Sequence, residues 1–134
     1  MVQNVLFMCV ENSCRSQIAE AFGKLYGAGI INAYSAGSNP SGTVNPKVIE
    51  SLKEKGIDIS ESRSKGFDAY ADVDFDYVIG MGCGDSCPFI KNAKNITWDI
   101  PDPKNLDMDQ FCKIRDEIED KVRDLIINIG SRKS

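Results

Sequence analysis

A cysteine and an arginine bracket five residues near the start of the chain, Cys9-Val10-Glu11-Asn12-Ser13-Cys14-Arg15, and Ser16 follows. The apolar run Val5-Leu6-Phe7-Met8 leads into this segment, and a stretch with helical spacing leaves it. A loop that passes from a strand into a helix aims several backbone N–H groups at one point, and the helix dipole adds partial positive charge there. A tetrahedral oxyanion suits such a cradle, so Val10, Glu11, Asn12, Ser13, Cys14, Arg15 and Ser16 are the expected oxyanion-binding residues. The same field favours a thiolate, which makes Cys9 the expected nucleophile at neutral pH. Arg15 can fold back over the loop and hold two oxygens bidentately, binding more tightly as charge builds in the transition state. By position, Ser16 is expected to donate its hydroxyl to the Cys9 sulfur and Asn12 to brace the loop. As bare letters the spacing also arises by chance, with Cys9 a buried strand-end residue; its place between strand and helix favours the chemical reading.

Composition narrows what can assist these residues. The chain has no histidine, which excludes Ser-His-Asp, Cys-His and histidine-ligated metal sites. Activation must then come from backbone, arginine or carboxylate. Five cysteines cannot all pair, so at least one thiol is spare. Val5 to Met8 is too short for a signal-peptide core and lacks a basic leader, and no stretch approaches the ~20 apolar residues of a membrane span. A cytoplasmic location is therefore expected, where thiols stay reduced and serve reactivity or metal binding before structural disulfides. The net charge of -4 argues against nucleic acid as a partner.

The positioning elements follow from pattern. At 134 residues the chain suits one domain spanning 1–134. Val5 to Met8 reads as a central strand buried on both faces. A helix from about Ser16 to Gly27 puts Ile18, Phe22, Leu25 and Tyr26 on one face. A strand from Ile30 to Ala36 comes next, then a helix capped by Asn45, begun by Pro46 and stopped at Gly56. Phe75 to Met81 and Asn95 to Trp98 read as third and fourth strands. In the last helix Asp107 and Gln110 have capping-box spacing, and Phe111, Ile114, Ile118, Val122, Leu125 and Ile129 form the buried stripe. This order predicts an α/β fold, a four-stranded parallel sheet flanked by helices on both faces, with ligands beyond the carboxyl ends of the strands where residue 9 falls.

At these residues the chain resembles the low-molecular-weight tyrosine phosphatase superfamily, and more closely its thioredoxin-coupled arsenate reductase branch. The likeness rests on Val5 to Cys9, on Asn12-Ser13-Cys14-Arg15-Ser16-Gln17-Ile18-Ala19-Glu20, on Ser35-Ala36-Gly37, on Cys83-Gly84-Asp85 with Cys87-Pro88, and on Trp98 before Asp102-Pro103. The resemblance implies a phosphatase-like, flavodoxin-like topology with Asp102 as the proton donor to the leaving oxygen. It also implies a relay. Cys9 attacks arsenate, Cys83 displaces arsenite by attacking Cys9, and Cys87 attacks Cys83, leaving a disulfide for thioredoxin or a similar thiol reductant. Phosphate and sulfate would mimic the substrate; no bound cofactor or metal is implied, and a monomer is expected. Only Gly84-Asp85-Ser86 separate Cys83 from Cys87, a shorter gap than is usual in that branch. Some relatives bind potassium through residues matching Asn12, Glu20 and Ser35 and an acid where this chain has Lys65, whose ammonium could take the ion's place.

Other readings stay open on sequence. A phosphotyrosine phosphatase would use Cys9, Arg15 and Asp102 with water attacking the intermediate, although Lys104-Asn105 stand where such enzymes usually carry aromatic residues. A non-catalytic oxyanion sensor and a zinc module using Cys83, Cys87 and Cys112 are further alternatives, the last lacking a fourth ligand. Cys14 and Cys112 are read as packing residues, as are Tyr34 and Trp98, with Asp72, Asp74 and Asp76 as solvated surface.

Overall fold

A computed structural model describes residues 2–60, 62–82 and 90–131. β1 (Gln3–Cys9) is an inner strand because Val5, Leu6, Phe7 and Met8, all 0% exposed, have no polar side chain to turn outward. β2 (Ile31–Gly37) lies on one side of it and β3 (Tyr77–Gly80) on the other, with β4 (Lys94–Thr97) beyond β3. The sheet runs β2-β1-β3-β4 and every pairing is parallel. The expected four strands are all present. β3 is shorter than the apolar run suggests, since the Asp76 carboxylate accepts from the Asn4 N–H at 2.7 Å and Phe75 turns into an aromatic cluster instead.

α1 (Arg15–Tyr26), α2 (Pro46–Lys53) and α3 (Met108–Ser131) pack over Val5, Phe7 and Ile79, with Ile18, Phe22, Val48, Leu52, Phe111, Ile118 and Val122 completing that core. The opposite face, Leu6, Met8 and Val78, is covered by a short 3-10 helix (Phe67–Tyr70) and the segment after it. Both faces thus carry helical cover, but unequally. Tyr34, Tyr70 and Phe75 meet edge-on with centroids 5.1 to 6.1 Å apart, and Trp98 packs against Phe7, so Tyr34 and Trp98 are packing residues as expected.

The expected caps form. Asn45 Oδ1 accepts from the Lys47 N–H at 2.9 Å ahead of Pro46, and Asp107 Oδ1 accepts from the Gln110 N–H at 2.9 Å. One expectation fails at the end of α1, where Leu25 is 51% exposed. The helix ends there, beyond the reach of the core, and Tyr26 instead donates its hydroxyl to Glu119 on α3.

Candidate functional site

β1 runs out at Cys9 and α1 opens at Arg15, so five residues make the turn between them. Their carbonyls face outward. Those of Cys9, Val10, Glu11 and Ser13 accept from the N–H groups of Ser38, Asn39, Ser41 and Asn45 at 2.7 to 3.1 Å. The inner side is left to the amides and to the first turn of α1, whose N-cap Cys14 makes no side-chain capping bond. Close contact with the end of β2 requires glycine at 37, where a Cβ would stand 2.6 Å from Val10 O and 2.8 Å from Asn12 N.

Asn12 fixes the curvature. Its φ of 53° is left-handed, a region asparagine tolerates better than most residues, and it is fully buried. Its Oδ1 accepts from the Lys65 N–H at 2.8 Å and from Gln17 Nε2 at 2.9 Å, while Nδ2 donates to Ser16 Oγ at 2.7 Å. Gln17 also donates to Arg63 O, and Ser64 donates its hydroxyl to Glu11 O. The amide of Asn12 can only donate to Ser16, so the serine proton is free for its other neighbour. That neighbour is the Cys9 sulfur, 2.9 Å away. Donation to sulfur favours the anionic form of a thiol. Ser16 thus lies within hydrogen-bond distance of the Cys9 sulfur, and Asn12 ties the loop to Ser16, Gln17 and Lys65, both side chains lying behind the loop.

The depression above the sulfur is lined by Cys9, Val10, Glu11, Ser13, Cys14, Arg15, Asp102 and Lys104. Arg15 is 7% exposed and donates through Nη1 to Ile100 O at 3.1 Å, with Nη2 at 3.8 Å from Asp102 Oδ2. Asp102, half exposed, accepts the Lys104 N–H at 3.0 Å, and Lys104 Nζ reaches across to Glu11 Oε2 at 2.9 Å. The Lys104–Glu11 bridge was not foreseen. Burial pushes the Cys14 thiol up, with Ser13 partly opposing, which disfavours its thiolate.

Cys9 and Arg15, at the two ends of one loop, thus share a small depression with Asp102, far along the chain. Cys83 and Cys87, the remaining expected participants, lie outside the described residues. Lys65 sets its ammonium 3.8 Å from Glu20 Oε1, which also accepts from Ser35 at 2.9 Å, so a cation of the chain's own occupies that cluster. A larger cleft of about 670 Å³ opens by Glu20, Lys24, Tyr34, Arg63 and Lys65, but none of the reactive trio lines it. Among the described residues no cluster of metal-ligating side chains occurs, and no helix is long and apolar enough to cross a membrane.

Such a cradle has the shape and the donors to take a tetrahedral oxyanion beside a sulfur, with a carboxyl group at its edge. A glutaredoxin arsenate reductase of Synechocystis sp. is 36% identical over 132 residues, covering 96% of this chain and 100% of that protein. A solved arsenate reductase in the phosphate binding state superposes with a TM-score of 0.84 at 34% identity, covering 96% of this chain and 99% of that one. The thioredoxin-dependent arsenate reductase of Corynebacterium glutamicum gives 0.80 at 35% identity, over 98% of this chain and 63% of that longer one. The family model for low molecular weight phosphotyrosine protein phosphatase matches residues 4–134, and the chain belongs to that family.

Proposed function

We infer that this chain is an arsenate reductase, and that its reaction runs from Cys9 through Cys83 to Cys87. The Cys9 thiolate attacks arsenate held by the loop amides and Arg15, forming a sulfur–arsenic bond. An oxygen departs with a proton from Asp102, as water. The Cys83 thiolate then attacks the Cys9 sulfur; the S–As bond breaks, its electron pair stays on arsenic, and arsenite leaves as arsenic falls from the +5 to the +3 state. The Cys87 thiolate next attacks Cys83, freeing Cys9 and leaving a Cys83–Cys87 disulfide. A dithiol protein of the thioredoxin or glutaredoxin type returns the two electrons. The cycle needs reduced thiols, which suits the cytoplasm, and no step calls for a second copy of the chain or a bound cofactor.

The observation that carries the reading is the Cys9 sulfur held 2.9 Å from the Ser16 hydroxyl at the foot of a depression shared with Arg15 and Asp102. Arsenate-dependent NADPH oxidation, coupled through thioredoxin and its reductase, tests it. Turnover is expected to vanish in Cys9→Ser, Cys83→Ser and Cys87→Ser alike. Cys9-dependent hydrolysis of a phosphate ester without any arsenate-dependent NADPH oxidation would assign the site to phosphate-ester hydrolysis, in which water resolves the intermediate. No turnover of either substrate by the unaltered chain would leave an oxyanion sensor.

A further inference from the structure

Gly82 has a left-handed φ of 87°, and a Cβ built on it would fall 2.0 Å from Arg15 Nη1 and 3.0 Å from Arg15 Cζ. The guanidinium therefore lies against the bare face of this glycine. Its other contacts are Ile100 O at 3.1 Å and Asp102 Oδ2 at 3.8 Å. The walls on both sides are anchored. Met81 N donates to Met8 O and Trp98 N to Gly80 O, each at 2.8 Å, and Ile100 is 2% exposed. Arg15 by contrast ends a long flexible stem, so a side chain at position 82 displaces the guanidinium before it moves the backbone.

We propose that Gly82 is a positioning residue for Arg15, its missing side chain leaving the slot from which the guanidinium meets the oxyanion. The left-handed φ gives glycine a second reason to be there, and the two separate cleanly. Asparagine tolerates that φ but still carries a Cβ. A glycine needed only for its backbone is replaceable by asparagine, whereas one needed for space is not.

The proposal rests on the reading of Arg15 as an oxyanion ligand, and its test keeps the two apart. The readout is protection of Cys9 from iodoacetamide by inorganic phosphate, followed by peptide mass in the full-length reduced chain. Binding is preferred to turnover because Cys83 directly follows Gly82 and any change there also touches the relay. Gly82→Ala and Gly82→Asn are each expected to raise the apparent Kd for phosphate roughly tenfold or more, the scale of a lost charge-assisted contact. Arg15→Ala raises it at least as much, and adding Gly82→Asn to Arg15→Ala changes it less than about twofold, because nothing remains to displace. An unchanged Kd in Gly82→Asn overturns the proposal. So does an equal penalty with and without Arg15, which would mark backbone strain, or loss of the cooperative thermal transition in both Gly82 variants, which would show the walls yielding in place of the guanidinium. If Arg15→Ala itself leaves the Kd unchanged, the oxyanion reading falls and takes this one with it.

Discussion

The two walls of the depression over Cys9 are built on opposite principles. Residues 9–15 form a buried loop whose outward carbonyls are bonded to the segment from Ser38 to Asn45 and whose Asn12 side chain alone touches Ser16, Gln17 and Lys65. The facing segment that carries Asp102 is open to solvent. Its carboxylate is 49% exposed, held by one N–H from Lys104 and a distant guanidinium. The contrast matches the two tasks. Dipoles stabilise a transition state best when they need no reorganisation, which a loop braced by that many hydrogen bonds is suited to supply. A group that gives up a proton and must regain it each cycle needs water nearby.

If that division holds, the two walls fail in different ways. Asp102→Asn preserves shape and an acceptor for the Lys104 N–H but removes the transferable proton. The single-turnover release of arsenite should slow about 100-fold. Phosphate protection of Cys9 should stay within about threefold and the melting temperature within a few degrees, since the side chain is half exposed. A rate loss below about fivefold would mean that the open wall is not the acid.

The cradle should fail through folding as well as chemistry. Asn12→Ala leaves Ser16, Gln17 and the Lys65 N–H each short of a partner in a buried site and puts alanine at a φ of 53°. The expected cost is about 3 kcal/mol, or roughly 10 °C in Tm. Turnover measured well below the transition should fall about tenfold, because the Ser16 hydroxyl loses the bond that turns its proton toward sulfur. Calorimetry and steady-state kinetics on one preparation check both. A variant that melts normally would show that the loop is held by its outer carbonyls alone.

How much of this was legible in the sequence depends on how local the cause is. Val5 to Met8 announced a buried inner strand because four consecutive apolar side chains leave none for water, and all four are fully buried. The proximity of Cys9, Asn12 and Ser16 was legible because the loop and the first turn of α1 are neighbours in the chain. The braces behind them were not legible. Gln17 to Arg63 and Lys65 to Asn12 span 46 and 53 residues, and nothing in the letters of one partner names the other. The close approaches at two glycines were equally silent. A Cβ at Gly82 would meet Arg15 and one at Gly37 would meet the loop, contacts between segments far apart in the chain. Leu25 was assigned to the core by period alone, and period does not say where a helix outruns the core.

Lys104 gives the weakest and most discriminating break, because it is the tether between the two walls. Its ammonium meets Glu11 Oε2 at 2.9 Å with both side chains substantially exposed, so the bridge is open to screening. Glu11 raises the Lys104 pKa above its ordinary value, first through the hydrogen bond and then through charge. The sign follows from that direction. The tether is fully present below the pKa of an unfolded lysine and is lost only as pH climbs through the raised folded value, so it is intact across the neutral range where the thiols work. Salt is therefore the sharper probe. Lys104→Ala should lower kcat/KM for arsenate about threefold at low ionic strength, by letting the Asp102 segment drift, with the melting temperature essentially unchanged. Near 1 M salt, where the Debye length is about 3 Å, the variant and the unaltered chain should converge. A difference that persists there would mean that Lys104 acts on the substrate directly, as a second cation beside Arg15, and the open wall would then share in binding and not in proton transfer alone.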